Sequence, residues 1–520
     1  MNRPYLRNRV HGQWLDHDGV TVSDFEAAIR RGAIWSYAGQ GYMTLGNFVV
    51  GLIIARLLGP SDLGVFIAVT AFTSVFLIGV QFGLPQAILQ ARTLRDDQVN
   101  AAFWSIAALG VIFFGVLWWV APRLAGLYGA DAFVGVMRLM GGVFLLTPMT
   151  AVGLALLRRD MRFARVAAID ATALTISSVV SVGAALLGAG VYSLVLGTFI
   201  SMLSILVGIQ LSHAWRPSWP RWRPVRGLLH FSSRTMVNNV LNLTTNRVDN
   251  MLVGAMLSTA SLGLYNRAYS LARIPAEQFA ESLGPLLFGS LSRVQDDVAR
   301  SKRLYLTAAP LIAAATMPFF VLLGVAAPDL VTLLYGDAWS GAGAPLRVMA
   351  IGAVFFMLCV TLRSVVNAQG LVGQLTGILL VLFVVTILLI FGLAPLGLTA
   401  IAAGISVREA LMFVLMMRLL GRSRLQLGAR ELTFALAPVL IAAAACLAAS
   451  LLATAWAGAV APDHRFLRVL AVAVAGFSVY ALALLVQIWL WRSHPALGRM
   501  QELLTTVGGR ALAGLAALAR

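Results

Sequence analysis

Nine arginines stand inside otherwise apolar runs of this 520-residue chain: Arg56, Arg138, Arg234, Arg247, Arg267, Arg273, Arg347, Arg363 and Arg408. A guanidinium keeps its charge and offers a planar fork of donors that fits phosphate oxygens. Asn266, Ser270, Arg273, Glu277, Glu281 and Gly284 follow steps of three and four. On a helix they share one face within about 60°, with Arg267 at its edge. Arg273 and Glu277 stand at i and i+4. Two chemistries suit such a pair: a structural ion pair, or an anion site where a phosphate competes for Arg273 while Glu277 takes up a proton. Pro275 between them frees a carbonyl one turn earlier and favours a kink. A second stripe is Asn239, Asn242, Asn246, Asp249 and Asn250, with Arg247 at its flank. A third is Ser36, Gln40, Thr44 and Asn47. Amides donate and accept, which suits hydroxyl-rich ligands; the alternative use is hydrogen-bonded glue between helices. Asp170, Asp249, Glu277 and Glu281 are candidates to take up a coupling ion, and Arg408 with Glu409 is a further charged pair.

The elements that carry these residues must be membrane helices. The chain is 59% hydrophobic and 12% charged, against about 25% charged in soluble domains. Lipid must therefore be part of its solvent. A span needs about 20 mostly apolar residues. Such runs lie near 33–57, 62–86, 100–120, 133–157, 166–187, 191–212, 229–256, 263–288, 304–326, 344–366, 372–393, 397–418, 432–456 and 467–490. The fold class expected is an all-α polytopic membrane protein of about 14 transmembrane helices, with the seventh and eighth the least hydropathic. The basic residues test this count. With a cytoplasmic N-terminus, only Arg123, Arg465 and Arg468 fall on the outer side; the nine arginines above lie within spans, and all others are cytoplasmic. This is the positive-inside pattern, and it places both termini in the cytoplasm of a multi-pass inner-membrane protein. Placed at mid-bilayer against lipid, nine arginines would cost on the order of 25 kcal/mol. Arg247, Arg273 and Arg408 lie deepest and need a wet cavity or a partner; the others lie near span ends, where snorkelling or phosphate anchoring is the simpler account.

The N-terminal stretch has no short apolar region with a cleavage site, so it is not a cleavable signal. Ser23 with Glu26 forms a capping box that opens an amphipathic helix before the first span. The tail after Pro495 has the pattern of an interfacial helix. Cys359 and Cys446 sit in apolar runs, and the six histidines form no metal-ligand cluster. No cofactor is implied. The charge of +18 lies in short stretches between apolar runs, a pattern of membrane topology rather than of a basic groove for nucleic acid. The connections are too short to fold a domain outside the bilayer, which argues against a membrane enzyme such as a polymerase or ligase.

The chain also repeats. Leu58-Gly59-Pro60-Ser61-Asp62-Leu63-Gly64-Val65-Phe66 is echoed by Leu257-Ser258-Thr259-Ala260-Ser261-Leu262-Gly263-Leu264-Tyr265. Ala121-Pro122 and Leu127-Tyr128-Gly129 are echoed by Ala327-Pro328 and Leu334-Tyr335-Gly336, and Asp131-Ala132-Phe133 by Asp337-Ala338-Trp339. The offset stays near 200 residues, or six spans, an even number that makes the repeats parallel. The expected organisation is an N-terminal tail at 1–32, an N-lobe of six spans at 33–220, a C-lobe of six at 221–420, two extra helices at 421–491 and a tail at 492–520. Two such lobes would leave a cavity that opens to either side in turn.

The Leu58–Phe66 junction resembles the polysaccharide-transport (Wzx-type) family of the multidrug/oligosaccharidyl-lipid/polysaccharide exporter superfamily. So do Ala260–Tyr265, continuing through Asn266-Arg267-Ala268-Tyr269-Ser270-Leu271, and the extension from Pro275 to Leu291-Ser292-Arg293. The resemblance covers roughly residues 30–420. It implies a flippase for undecaprenyl-diphosphate-linked oligosaccharides, with a cationic cavity faced by Arg247, Arg267 and Arg273, often with ion coupling. Asn239, Asn242, Asn246, Gln40 and Asn47 are the candidates for sugar hydroxyls. A lipid-linked substrate, membrane lipids, and a polysaccharide polymerase with its chain-length regulator are the expected partners. A cation or drug antiporter of the same superfamily is the rival, and it would favour an acidic cavity; a peptidoglycan-precursor flippase is another.

Overall fold

The computed structural model describes residues 9–10, 13–14, 22–91, 94–212, 215–219 and 248–490. Apart from a two-residue antiparallel ribbon, β1 (Arg9–Val10) with β2 (Gln13–Trp14), the regular structure there is helical. The chain divides into two compact units, Met1–Met251 and Leu252–Arg520. The first holds α1 (Val22–Leu57), α2 (Pro60–Gln81), α3 (Leu84–Gln90), α4 (Asp96–Tyr128), α5 (Ala132–Gly141), α6 (Val143–Arg159), α7 (Phe163–Leu186) and α8 (Tyr192–Ser212). A short helix, α9 (248–256), begins at its end. The second holds α10 (Thr259–Ser292), α11 (Val298–Tyr335), a 3₁₀ turn (Asp337–Ala342), α12 (Gly343–Ala368), α13 (Val372–Leu393), α14 (Leu398–Arg422), α15 (Ala429–Val460) and α16 (Arg465–Leu490).

Eleven helical segments among the described residues are long and apolar enough to cross a membrane, α5 and α6 counting as one. The long helices α1 and α10 are too polar to qualify. Their polar faces are the stripes the sequence singles out, so hydropathy falls where candidate chemistry rises. Of the predicted seventh run only 248–256 are described, and the tail from 492 lies outside the described residues. α1 runs unbroken from Val22, so the expected amphipathic helix and the first span are one rod. Large apolar side chains stand exposed along the outer helices, among them Leu187, Leu388, Trp456 and Phe466. In water such a surface would aggregate; in lipid it is already solvated.

The repeated motifs mark helix boundaries. Leu58-Gly59-Pro60 ends α1 and starts α2 with proline in the first turn, where its missing N–H costs nothing. In the second copy Ser258 caps α10, its side chain accepting from Ser261 N at 3.1 Å. Leu-Tyr-Gly ends α4 and α11. The glycines that follow, Gly129 and Gly336, take φ of +58° and +97°, which side chains resist. Each tyrosine then meets the aromatic after the turn: Tyr128 stacks on Phe133 at 4.7 Å, and Tyr335 lies 5.9 Å from Trp339.

In the first unit α7 packs along α1 and α8. Gly39 and Gly46 of α1, seven residues apart, admit Ala167 and Leu174: an added Cβ would meet their side chains at 3.0 and 2.7 Å. In the second unit α12 packs against α10, α11 and α14, while α15 and α16 pair with each other and with α11. Its apolar core gathers Tyr305, Leu362, Val365, Met416 and Leu420.

Candidate functional site: a buried charge cluster and a polar cavity

In the second unit the polar face of α10 meets α14. Arg273 Nε donates to Glu277 Oε1 at 3.0 Å, the contact the i,i+4 spacing predicts. Its Nη1 donates to Glu409 Oε1 at 3.1 Å, across 136 positions of sequence. Arg408 Nη2 donates to the same Glu409 oxygen, and its Nη1 reaches Thr386 Oγ1 of α13 at 3.4 Å. Glu409 is thus a shared acceptor, 4% exposed. The Arg273 guanidinium also lies over the Phe356 ring of α12, 3.4 Å from its centroid. Gly352 lets α12 and α14 meet, because a Cβ there would strike Ser406 Oγ at 2.7 Å and its Cα at 3.0 Å. A cavity of about 30 Å³ opens beside Arg273 and Glu409, with Tyr269 and Ser406 on its wall, enough for a water or two.

A third guanidinium completes the cluster. Arg363 of α12 lies within electrostatic range of Glu409. Its Nη2 reaches the Met412 sulfur at 3.4 Å, and its Nε is buried without a hydrogen-bond partner. From the sequence Arg363 is a span-end residue suited to snorkelling; the structure half-buries it beside the cluster instead. Three guanidiniums therefore face two carboxylates, of which Glu277 is half exposed.

The first unit carries a second polar feature. Gln40 of α1, Arg158 at the end of α6 and Asp170 of α7 line one cavity of about 280 Å³, with Gly39, Met43, Phe163, Val166 and Ala167. The sequence selects Gln40 and Asp170 separately and gives no sign that they meet. It passes over Arg158, which is indistinguishable from other loop arginines.

Other predicted residues fall elsewhere. Arg267 lies over the rings of Tyr335 and Trp339, 5.5 and 5.9 Å from their centroids, in aromatic packing at the end of α11. Asn47 turns back on its own helix, Nδ2 donating to Met43 O at 2.7 Å. Asp249 and Asn250 are buried, with Asn250 N donating to Asp249 Oδ1 at 2.8 Å. Glu281 is exposed. Asn239, Asn242, Asn246 and Arg247 lie outside the described residues. Among the described residues no group of three or more His, Cys, Asp or Glu could hold a metal ion.

Comparison with known proteins bears on the family and the fold. The chain is 23% identical over 345 residues to an uncharacterized membrane protein in the cps region of Klebsiella pneumoniae, covering 65% of this chain and 70% of that one. It is 25% identical over 326 residues to the succinoglycan biosynthesis transport protein ExoT of Rhizobium meliloti, covering 62% and 66%. Among solved structures it shares the fold of the lipid II flippase MurJ in an inward closed conformation, with a TM-score of 0.69 at 13% identity over 88% of this chain and 99% of that one. The model of one family matches residues 53–344, more than half of the chain and spanning the first copy of the repeat into the second. The chain belongs to the polysaccharide biosynthesis protein family.

Proposed function

We propose that this chain is a flippase that carries undecaprenyl-diphosphate-linked oligosaccharide units from the cytoplasmic to the periplasmic leaflet of a bacterial inner membrane, by alternating access. Its family, the transport role in the name of ExoT and the fold shared with MurJ support the reading. The observation that carries it is the charge imbalance in the second unit. Arg273, Arg363 and Arg408 outnumber Glu277 and Glu409, and Arg363 keeps a buried N–H without a partner. A diphosphate supplies the missing negative charge and the acceptor oxygens. The same excess disfavours a cationic drug as cargo.

Arg273 is the exchangeable member of the cluster. Glu409 keeps Arg408 when Arg273 leaves, and the half-exposed Glu277 is then free to take up a proton. Proton uptake at Glu277 would couple the ion gradient to release of the diphosphate. Asp170, Asp249 and Glu281 are further coupling candidates. Gln40 and Asn47, with Asn239, Asn242 and Asn246, offer amides to sugar hydroxyls, and Arg247 offers a further charge. Arg267, over Tyr335 and Trp339 with its Nε unpartnered, offers another charge to the diphosphate. Both termini lie in the cytoplasm, six spans form each lobe, and a polysaccharide polymerase and a chain-length regulator receive the product. No catalytic step falls to this chain.

The test is complementation of a deletion strain. Arg273→Ala and Arg408→Ala should each lower surface polysaccharide roughly tenfold or more, the loss of a charged hydrogen bond to phosphate, at unchanged levels in the membrane. Normal export in both variants discards the anion site. A deletion strain that becomes drug-sensitive with intact polysaccharide marks an antiporter, and a lethal deletion marks a peptidoglycan-precursor flippase.

A further inference from the structure

Arg347 differs from the other described arginines of the spans. Arg273 and Arg408 hold carboxylates, Arg138 and Arg267 lie over rings, Arg363 is half-buried against a thioether, and Arg56 of α1 is engaged within the protein. Arg347 is exposed and makes no ion pair or ring contact with another described residue. It sits one turn inside α12 and borders a cavity of about 450 Å³ walled almost wholly by apolar groups. Three helices build this groove, and each contributes residues running the same way. From the Arg347 end inward, α12 gives Ile351, Val354 and Phe355; α11 gives Val325, Val321 and Phe320; and α15 gives Thr454, Leu451 and Leu447. Arg347 and Thr454 form the polar end, and Phe355 lies about 12 Å deeper along α12 at 1.5 Å per residue. Gly324 of α11 lies on the floor beside Ala350 of α12. Ile351 and Leu451 are more than half exposed, so the groove opens outward from its unit.

We infer that this groove holds an anionic phospholipid, with its phosphate on Arg347 and an acyl chain lying along α11, α12 and α15. An unpaired guanidinium at this depth is costly against hydrocarbon and is stabilised by a lipid phosphate at the interface. The apolar groove beneath it takes a chain and offers nothing to a sugar. Charge complementarity therefore selects an anionic headgroup, and the direction of the groove sets the chain pointing to the bilayer centre. Under the topology with a cytoplasmic N-terminus, the lipid belongs to the outer leaflet. The site is separate from the charge cluster, uses none of its residues, and touches α15, the first helix beyond the repeat.

Native mass spectrometry of the full chain, released from nanodiscs of equal parts phosphatidylglycerol and phosphatidylcholine, tests this. Wild type should retain one phosphatidylglycerol. Arg347→Gln should lower the retained fraction about fivefold, and Arg347→Lys should restore most of it. Ile351→Trp fills the groove, keeps the charge, and should lower retention as well. If that variant is not monodisperse, Leu451→Trp fills the groove from α15 instead. Equal retention in wild type, Arg347→Gln and the groove-filling variant would overturn the site. Complete displacement of phosphatidylglycerol by an equal amount of undecaprenyl phosphate would overturn it too, since the groove would then belong to polyprenyl chains. Lipid retention is read without transport, so either result leaves the flippase reading to its own test.

Discussion

Glu409 is the residue on which the cluster turns. Two guanidiniums share one oxygen of this buried carboxylate. Removing the charge with Glu409→Gln leaves Arg273 and Arg408 facing each other across a neutral amide. Loss of one member of a buried pair costs about 3–5 kcal/mol, so the detergent-purified variant should melt well below wild type. Glu277→Gln removes an exposed partner worth about 0–1 kcal/mol and should leave the melting temperature nearly unchanged while it alters ion-coupled export. Equal melting temperatures for Glu409→Gln and wild type would show that Glu409 does not organise the cluster. The sequence exhibits Arg273 with Glu277, because helical spacing alone joins them. It could not exhibit Arg273 with Glu409, because that contact needs α10 and α14 to pack on α12.

Element by element, the prolines show how these helices stay satisfied in lipid. Pro318 lies within α11 and cannot donate to the carbonyl of Ala314 one turn back. Tyr480 of α16 supplies the donor, its Oη 2.9 Å from Ala314 O. Tyr480→Phe should therefore destabilise the fold by about 1 kcal/mol or more, seen as a lower melting temperature, because a part-buried acceptor is left unpaired. Pro318→Ala, which restores the N–H, should make the tyrosine dispensable: in the double variant Tyr480→Phe should cost clearly less than in wild type. Equal costs in both backgrounds would reject this link. The bond also fixes α16 to α11. The proline is evident in the sequence as a break in an apolar helix, but the donor that repairs it comes from a helix more than 160 positions later.

For the whole molecule, the distribution of basic residues argues for an orientation, and the structure accounts for two of its exceptions. Arg465 pairs with Asp337 at 2.6 Å, and Arg468 takes both oxygens of Asp329, at 2.5 and 3.1 Å. Each of these two arginines, which the expected topology puts outside, is matched by an aspartate and would add little net positive charge there. Impermeant thiol reagents give the check. Cys359 and Cys446 are fully buried and contribute little background. Asp463→Cys, in the turn between α15 and α16, should label in intact spheroplasts, whereas Ser423→Cys, in the turn between α14 and α15, should label only after permeabilisation. The reverse pattern would invert the topology and move the Arg347 groove to the cytoplasmic leaflet.

The sequence by itself determined the membrane class, the helical runs, the repeat and the polar faces of α1 and α10. Each of these follows from hydropathy or from periodicities of three and four along a single helix, which are local quantities. Tertiary structure alone decided which charges meet. It gathered Arg273, Arg363, Arg408 and Glu409 from three helices, joined Gln40 to Asp170 and Arg158, moved Arg267 into aromatic packing, and left Arg347 unpaired beside an apolar groove. Such contacts depend on how close two helices approach, and at Gly352 and Gly39 that distance is set by the absence of a side chain. Spacing along one helix carries no record of which glycine faces which neighbour.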